Sequence, residues 1–164
     1  MSAVETGPDF ESFFADHHDH VVRSLTLAVG DRRRAEDLAQ EGFARAYRRW
    51  SSVSGMERPV AWVYVVSLNR FRRELRRQRS EPHPELPPSD DPAAFVAVQV
   101  SVLAALGTLA PRQRTAVVLR YLADLRLAEV AEAMGCSVGT VKATLHTALR
   151  KLRVDLAEEE PDES

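Results

Sequence analysis

The sequence predicts an all-α chain: two small helical domains joined by a flexible proline-rich linker, the second containing a helix-turn-helix. Three observations predict it. Apolar residues recur at helical spacing through most of the chain, and no stretch alternates apolar and polar as a half-buried strand would. Five prolines (Pro82, Pro84, Pro87, Pro88 and Pro92) crowd residues 80–92 among acidic and polar neighbours, which forbids a helix and favours an extended tether. Residues 127–152, LAEVAEAMGCSVGTVKATLHTALRKL, read as two helices folded over a tight turn.

The elements follow in order. Asp9 suits the N-cap of a helix from Phe10 to about Val29, with Phe10, Phe13, Phe14, Val21, Leu25 and Ala28 as its apolar face. Gly30-Asp31 ends that helix and caps the next, which runs to about Trp50 with Leu38, Phe43, Ala46, Tyr47 and Trp50 as core candidates. SSVSG at 51–55 reads as a loop. Pro59 fits the first turn of a third helix, where its missing N–H costs little. That helix, to about Arg79, begins apolar (VAWVYVV) and ends basic. Beyond the linker, helices are expected at about 93–107 and, led by Pro111, at 112–123. The expected domains are 1–79 and 93–157, about an acidic linker at 80–92, with an acidic tail at 158–164 too polar to fold.

In the helix-turn-helix, Ala131 is small where two helices approach closely. Gly135 suits a positive-φ turn, and Val141 buries the second helix against the first. Ser137 caps that second helix. Val138, Val141, Leu145, Ala148, Leu149 and Leu152 fall on one face. The opposite face carries Gly139, Thr140, Ala143, His146, Thr147 and Arg150, with Lys142 on the flank. Short side chains first and a basic one last suit a helix sinking into the major groove. Arg bonds guanine edges there, and Ala and Thr methyls touch thymine. Lys142 and Lys151 suit phosphates, which position without specifying.

The net charge of −2 hides a strong segregation. Residues 70–79, RFRRELRRQR, hold six Arg and one Glu, whereas residues 80–98 hold four acids and no Lys or Arg. Arg72 and Arg76 are one helical turn apart, as are Arg73 and Arg77, and such rows track a phosphate backbone. Trp62, Tyr64 and Phe71 share that helix as candidates for stacking on bases, with core packing the better reading of Trp62. On the second helix Asp37, Gln40 and Glu41 sit at spacings of three and four, a face that repels DNA and suits a protein partner. A single cysteine, Cys136, excludes an internal disulfide framework and fits a reducing cytoplasm. The acidic N-terminus lacks the apolar run of a secretory signal. No stretch approaches the roughly 20 apolar residues that span a bilayer, so no membrane insertion is expected.

Three stretches, AEDLAQEGF at 35–43, APRQRTAVVLRYL at 110–122 and GCSVGTVK at 135–142, stand in this order about a short linker. With them the chain resembles, over about 10–153, the bacterial sigma factors of the extracytoplasmic-function group. The resemblance implies a promoter-specificity subunit of RNA polymerase. Asp37, Gln40 and Glu41 would meet the β′ coiled coil of core polymerase, with further contacts to its β subunit. Asn69, Arg70, Arg73, Arg76 and Arg77 would recognise and help melt the −10 element. The loop at 51–58 would capture a flipped base, and Thr140, Lys142, Ala143, His146, Thr147 and Arg150 would read the −35 element. An anti-sigma factor is a further partner the resemblance allows. Arg73 stands where the family often has Asp, LAP at 109–111 where it has LPP or LPE, and Ala143 where Ser or Thr follows the Lys. These departures bear on the promoter sequence more than on the class.

No Gly-rich phosphate loop, nucleophile elbow or metal-ligand spacing occurs, so neither an enzyme nor a cofactor is expected. His17, His18 and His20 read as exposed first-helix residues rather than metal ligands. Two alternatives remain open at this level: a stand-alone helix-turn-helix regulator, which leaves AEDLAQEGF and the acidic linker without a use, and a helical adaptor that binds only proteins.

Overall fold

The computed structural model describes residues 9–78 and 97–158. The expected linker at 80–92 lies outside them, as does the expected tail at 158–164 apart from Glu158, which ends the last helix. Eight α-helices form among the described residues, and none of these residues is in a strand. They are α1 (Phe10–Val29), α2 (Arg32–Arg48), α3 (Trp50–Val53), α4 (Pro59–Gln78), α5 (Ala97–Thr108), α6 (Pro111–Val117), α7 (Leu127–Met134) and α8 (Val138–Glu158).

The helix ends follow local chemistry. Asp9 accepts the Ser12 N–H at 2.7 Å to start α1, and Gly30, at φ +83°, stops it. Asp31 accepts the Arg34 N–H at 3.3 Å to start α2. The expected loop after Trp50 is half helical, because residues 50–53 wind one short turn before the chain reaches Pro59. After α6 the helix widens at Val118–Leu122, where the Ala123 N–H reaches back five residues to the Val118 carbonyl at 2.9 Å. That widening keeps Val118 and Leu119 buried while leaving Tyr121 exposed.

Helix α2 packs between α1 and α4. The closest approach is at Gly42, where any β-carbon would overlap the Ser67 hydroxyl and stand 3.1 Å from Val63. Ser67 is itself buried and donates to the Leu38 carbonyl at 3.0 Å. The core between these helices holds Phe13, Val21, Leu25, Leu38, Phe43, Val63, Tyr64 and Leu68. In the second half Val118, Leu119, Leu125, Val130, Val141, Leu145 and Ala148 fill the space among α6, α7 and α8.

The two halves are not held apart. Helix α4 packs on α7 and α1 packs on α6, so the buried residues form one contiguous cluster. The physical reason is visible in α1 and α4. Each is apolar on more of its circumference than a three-helix unit covers, and α6 and α7 cover the remainder.

Two core expectations and one stacking expectation are corrected. Tyr47 is 66% exposed near the end of α2, with the Phe10 ring against it at 5.1 Å between ring centres. Val138 is 37% exposed as the first residue of α8. Tyr64 is wholly buried, which removes it as a base-stacking platform. Burial pushes its phenol pKa up to about 12.

Candidate nucleic-acid interface

The helix-turn-helix forms as its spacing requires. Ala131 and Val141 are buried at the crossing of α7 and α8. Gly135 takes φ +67°, with its N–H directed at the α7 carbonyls. The Ser137 hydroxyl accepts the Thr140 N–H at 3.1 Å, capping α8. Thr140, Lys142, Ala143, His146, Thr147 and Arg150 are all exposed on one side of α8. The Thr147 hydroxyl donates to the Ala143 carbonyl at 3.1 Å, which fixes its methyl and leaves its lone pairs outward. Lys151, a phosphate candidate by sequence, instead donates to the Thr108 carbonyl and ties α8 to the end of α5.

Helix α4 supplies the second basic surface, and its arginines divide by face. Arg73, Arg76 and Arg77 are exposed. Arg70 is half-buried and bridges Glu74 at 3.0 Å and Glu41 at 3.6 Å. Arg72 turns toward the second half, where its guanidinium occupies the space a β-carbon on Gly135 would need. It donates to the Asn69 side-chain oxygen. Burial first, then the charges of Arg76 and Arg112, lowers the pKa of Arg72 from its ordinary value. Trp62 is half-buried facing α7, and Phe71 lies under the Arg34 guanidinium, 5.0 Å from its ring centre.

On α2, Asp37 and Gln40 are exposed and Glu41 is half-buried. Arg45 donates to Glu41 at 2.8 Å and, with Arg70, holds its carboxyl below the ordinary carboxylate range. Gln40 stands on the rim of a groove of about 880 Å³ between α1 and α2, floored by Phe14, Val22 and Phe43. The three residues share one face of α2 but differ in surroundings. Gln40 belongs to the apolar groove, and Glu41 joins the chain Arg45–Glu41–Arg70–Glu74–Arg34, whose last link is 2.9 Å. That chain connects the acidic face of α2 to the basic face of α4. The sequence signal for it was the run of Arg at 45 and 70 beside Glu at 41 and 74, each at i,i+4.

Sequence reasoning missed a further group. Arg126 makes a two-point pair with Glu57, at 2.7 and 3.2 Å, and Arg58 pairs with Glu129 and donates to the Asp124 carbonyl. These contacts join residues about seventy positions apart, which no local pattern announces. Of the histidines, His18 stacks between Phe14 and Phe43 in the groove wall and His17 lies on Phe13. Among the described residues no group of three His, Cys, Asp or Glu is placed to hold a metal ion.

Residues 13–81 match the family model for sigma-70 region 2, and residues 99–152 match that for sigma-70 region 4. The RNA polymerase sigma-E factor of Streptomyces coelicolor is 35% identical over 158 residues, covering 94% of this chain and 89% of that one. The chain belongs to the sigma-70 family of RNA polymerase sigma factors, in its extracytoplasmic-function group. That group is carried by the ECF RNA polymerase sigma factor SigL of Mycobacterium tuberculosis, 30% identical over 154 residues, 87% of this chain and 86% of that one. The fold is shared with the sigma factor RpoE of Bartonella quintana, solved with the anti-sigma factor NepR. The TM-score is 0.69 at 21% identity, over 93% of this chain and 99% of that chain. It is shared also with CnrH, solved with the cytosolic domain of CnrY, at a TM-score of 0.60 and 20% identity over 92% and 89%. Region 2 thus corresponds to α1–α4 and region 4 to α5–α8. Among the described residues no helix is long and apolar enough to cross a membrane.

Proposed function

We propose that this sigma factor binds core RNA polymerase through α1 and α2, reads the −10 element with α4 and reads the −35 element with α8. The observation that carries the reading is the pairing of two separate DNA-suited surfaces in one chain. A capped recognition helix carries six exposed short, polar or basic side chains, and an arginine-rich helix lies near an acidic, apolar-grooved face. On α8, Arg150 and Thr147 specify bases and Lys142 positions on phosphate. On α4, Arg73, Arg76 and Arg77 hold the backbone while Asn69 and Arg70 work nearer the bases. On α2, Asp37 and Gln40 meet the β′ coiled coil directly, and Glu41 meets it while holding Arg70.

The working units are residues 1–79 and 93–157, with 80–92 as tether and 158–164 as tail. The protein performs no reaction and carries no cofactor. It works in the cytoplasm, where core polymerase and promoter DNA are, and polymerase does the chemistry. That the sigma factor RpoE, of the same fold, is solved in complex with the anti-sigma factor NepR supports an anti-sigma factor as a further partner.

Size-exclusion chromatography with core polymerase tests the protein half of the proposal. The protein is expected to co-elute with core, and Asp37→Ala to weaken that association while leaving α8 binding to duplex DNA intact. Failure of the folded wild-type chain to associate with core overturns the reading.

A further inference from the structure

The recognition helix α8 offers fewer hydrogen bonds to DNA than its residue types suggest, because its threonine hydroxyls are taken up within the protein. Thr147 donates to the Ala143 carbonyl at 3.1 Å, Thr144 donates to the Thr140 carbonyl at 2.8 Å, and the Thr140 hydroxyl pairs with that of Ser137 at 2.9 Å. A hydroxyl has one proton to give, so Thr144 and Thr147 have none left for a base. The same bond holds the methyl of the exposed Thr147 in one staggered position. Ala143, one turn earlier and also exposed, presents a methyl and nothing else. The fold does not require the bareness beside them. Gly139, a further turn back, does not take a positive φ, and a β-carbon on it would meet only the Ser137 hydroxyl, at 3.8 Å. A glycine inside a helix costs stability relative to alanine. What it gains at this position is close approach of another surface to the helix.

We infer that Ala143 and Thr147 read thymine by its C5-methyl group, so that the −35 element of this protein carries thymine at two positions beside the pair read by Arg150. The inference rests on the reading of α8 as the −35 helix. The major groove displays that methyl at T·A pairs, and an apolar contact with it removes both methyls from water. Ala143, Thr147 and Arg150 follow one another at i, i+4 and i+7 on one face. The helical rise sets them about 6 Å and then about 4.5 Å apart along the axis. Bases step by about 3.4 Å along a strand, so the three residues span about four base pairs. Discrimination divides along the helix: Ala143 and Thr147 select by shape against a methyl, and Arg150 selects by hydrogen bonds.

Replacing thymine by deoxyuridine removes the methyl and keeps every hydrogen-bonding group, so it isolates the contact. Holoenzyme assembled from core polymerase and this chain selects among duplex promoters randomised across the −35 region. The best-bound site is then remade with each thymine singly replaced by deoxyuridine. The readout is the ratio of holoenzyme affinities for the thymine and uridine sites, for wild type, Ala143→Gly, Thr147→Ser and Thr147→Val. Each ratio is taken within one protein, so any effect of a substitution on folding or overall affinity cancels. Wild type is expected to lose about three- to fivefold at each of two thymines, the size of one methyl's removal from water. Ala143→Gly should abolish the loss at one of them and Thr147→Ser at the other. Thr147→Val keeps a methyl and discards the hydroxyl, and should retain both losses. Equal binding of thymine and uridine sites by wild type overturns the inference, as does a selected element without thymine. A penalty kept by Thr147→Ser and lost by Thr147→Val also overturns it, by assigning the readout to the hydroxyl. A selection that recovers no preferred −35 element overturns the reading of α8 as well, so the two failures are told apart.

Discussion

Replacing Gly42 by Ala tests the closest packing in the region 2 half. The new methyl would overlap the Ser67 hydroxyl and stand 3.1 Å from both Val63 Cγ1 and the Val63 carbonyl oxygen. One of the overlapped atoms is backbone and the helices are fixed by their cores, so the strain is relieved chiefly by displacing Ser67. That displacement breaks the 3.0 Å bond to the Leu38 carbonyl. Overpacking costs about 1–3 kcal/mol and the lost bond about 0.5–1.5 kcal/mol. The higher helix propensity of Ala returns about 1 kcal/mol. The net destabilisation is about 1–3 kcal/mol, and at about 2–4 °C per kcal/mol the Tm falls by roughly 2–12 °C. Thermal unfolding followed by circular dichroism measures it, together with Ser67→Ala and the double variant. Ser67→Ala removes the overlapped atom, so Gly42→Ala should cost measurably less in that background. Equal costs in both backgrounds would refute the steric argument, and with it the account of how α2 and α4 are held in register.

Further outcomes are expected at other positions. Ser137→Ala removes the α8 cap and should cost about 1 kcal/mol in chemical denaturation. Arg150→Ala should cost about 1–3 kcal/mol at one position of the −35 element in a base-substitution binding series, and a uniform loss would reassign it to phosphate. Glu41 has a folded pKa below its unfolded value, so its pairing stabilises the protein above the unfolded pKa. That contribution is lost as pH falls through the folded pKa. Glu41→Gln should therefore flatten the acid limb of stability against pH between those two values.

The helices and the helix-turn-helix were legible because their signals are local. Asp9, Gly30, Asp31, Gly135 and Ser137 each act within four residues of themselves, and the structure uses every one as its chemistry suggests. The faces of α8 were legible for the same reason, save Val138, which opens the helix and stays exposed. Tyr47 and Tyr64 were misread because periodicity places a residue on a face without saying which faces find partners. Lys151 was read by charge alone, and only the position of the Thr108 carbonyl redirects it. The packing of α4 on α7 was not legible at all. It rests on Arg58, Arg72, Arg126 and Glu129 meeting across a linker, and no local pattern at any of them announces that contact.

Run-off transcription asks whether this chain directs initiation: core polymerase with this protein, on a broad set of genomic fragments, against core polymerase alone. The account predicts discrete transcripts that require the protein and that Arg150→Ala and Arg76→Ala diminish. Folded protein that associates with core yet yields no promoter-dependent transcript would contradict it.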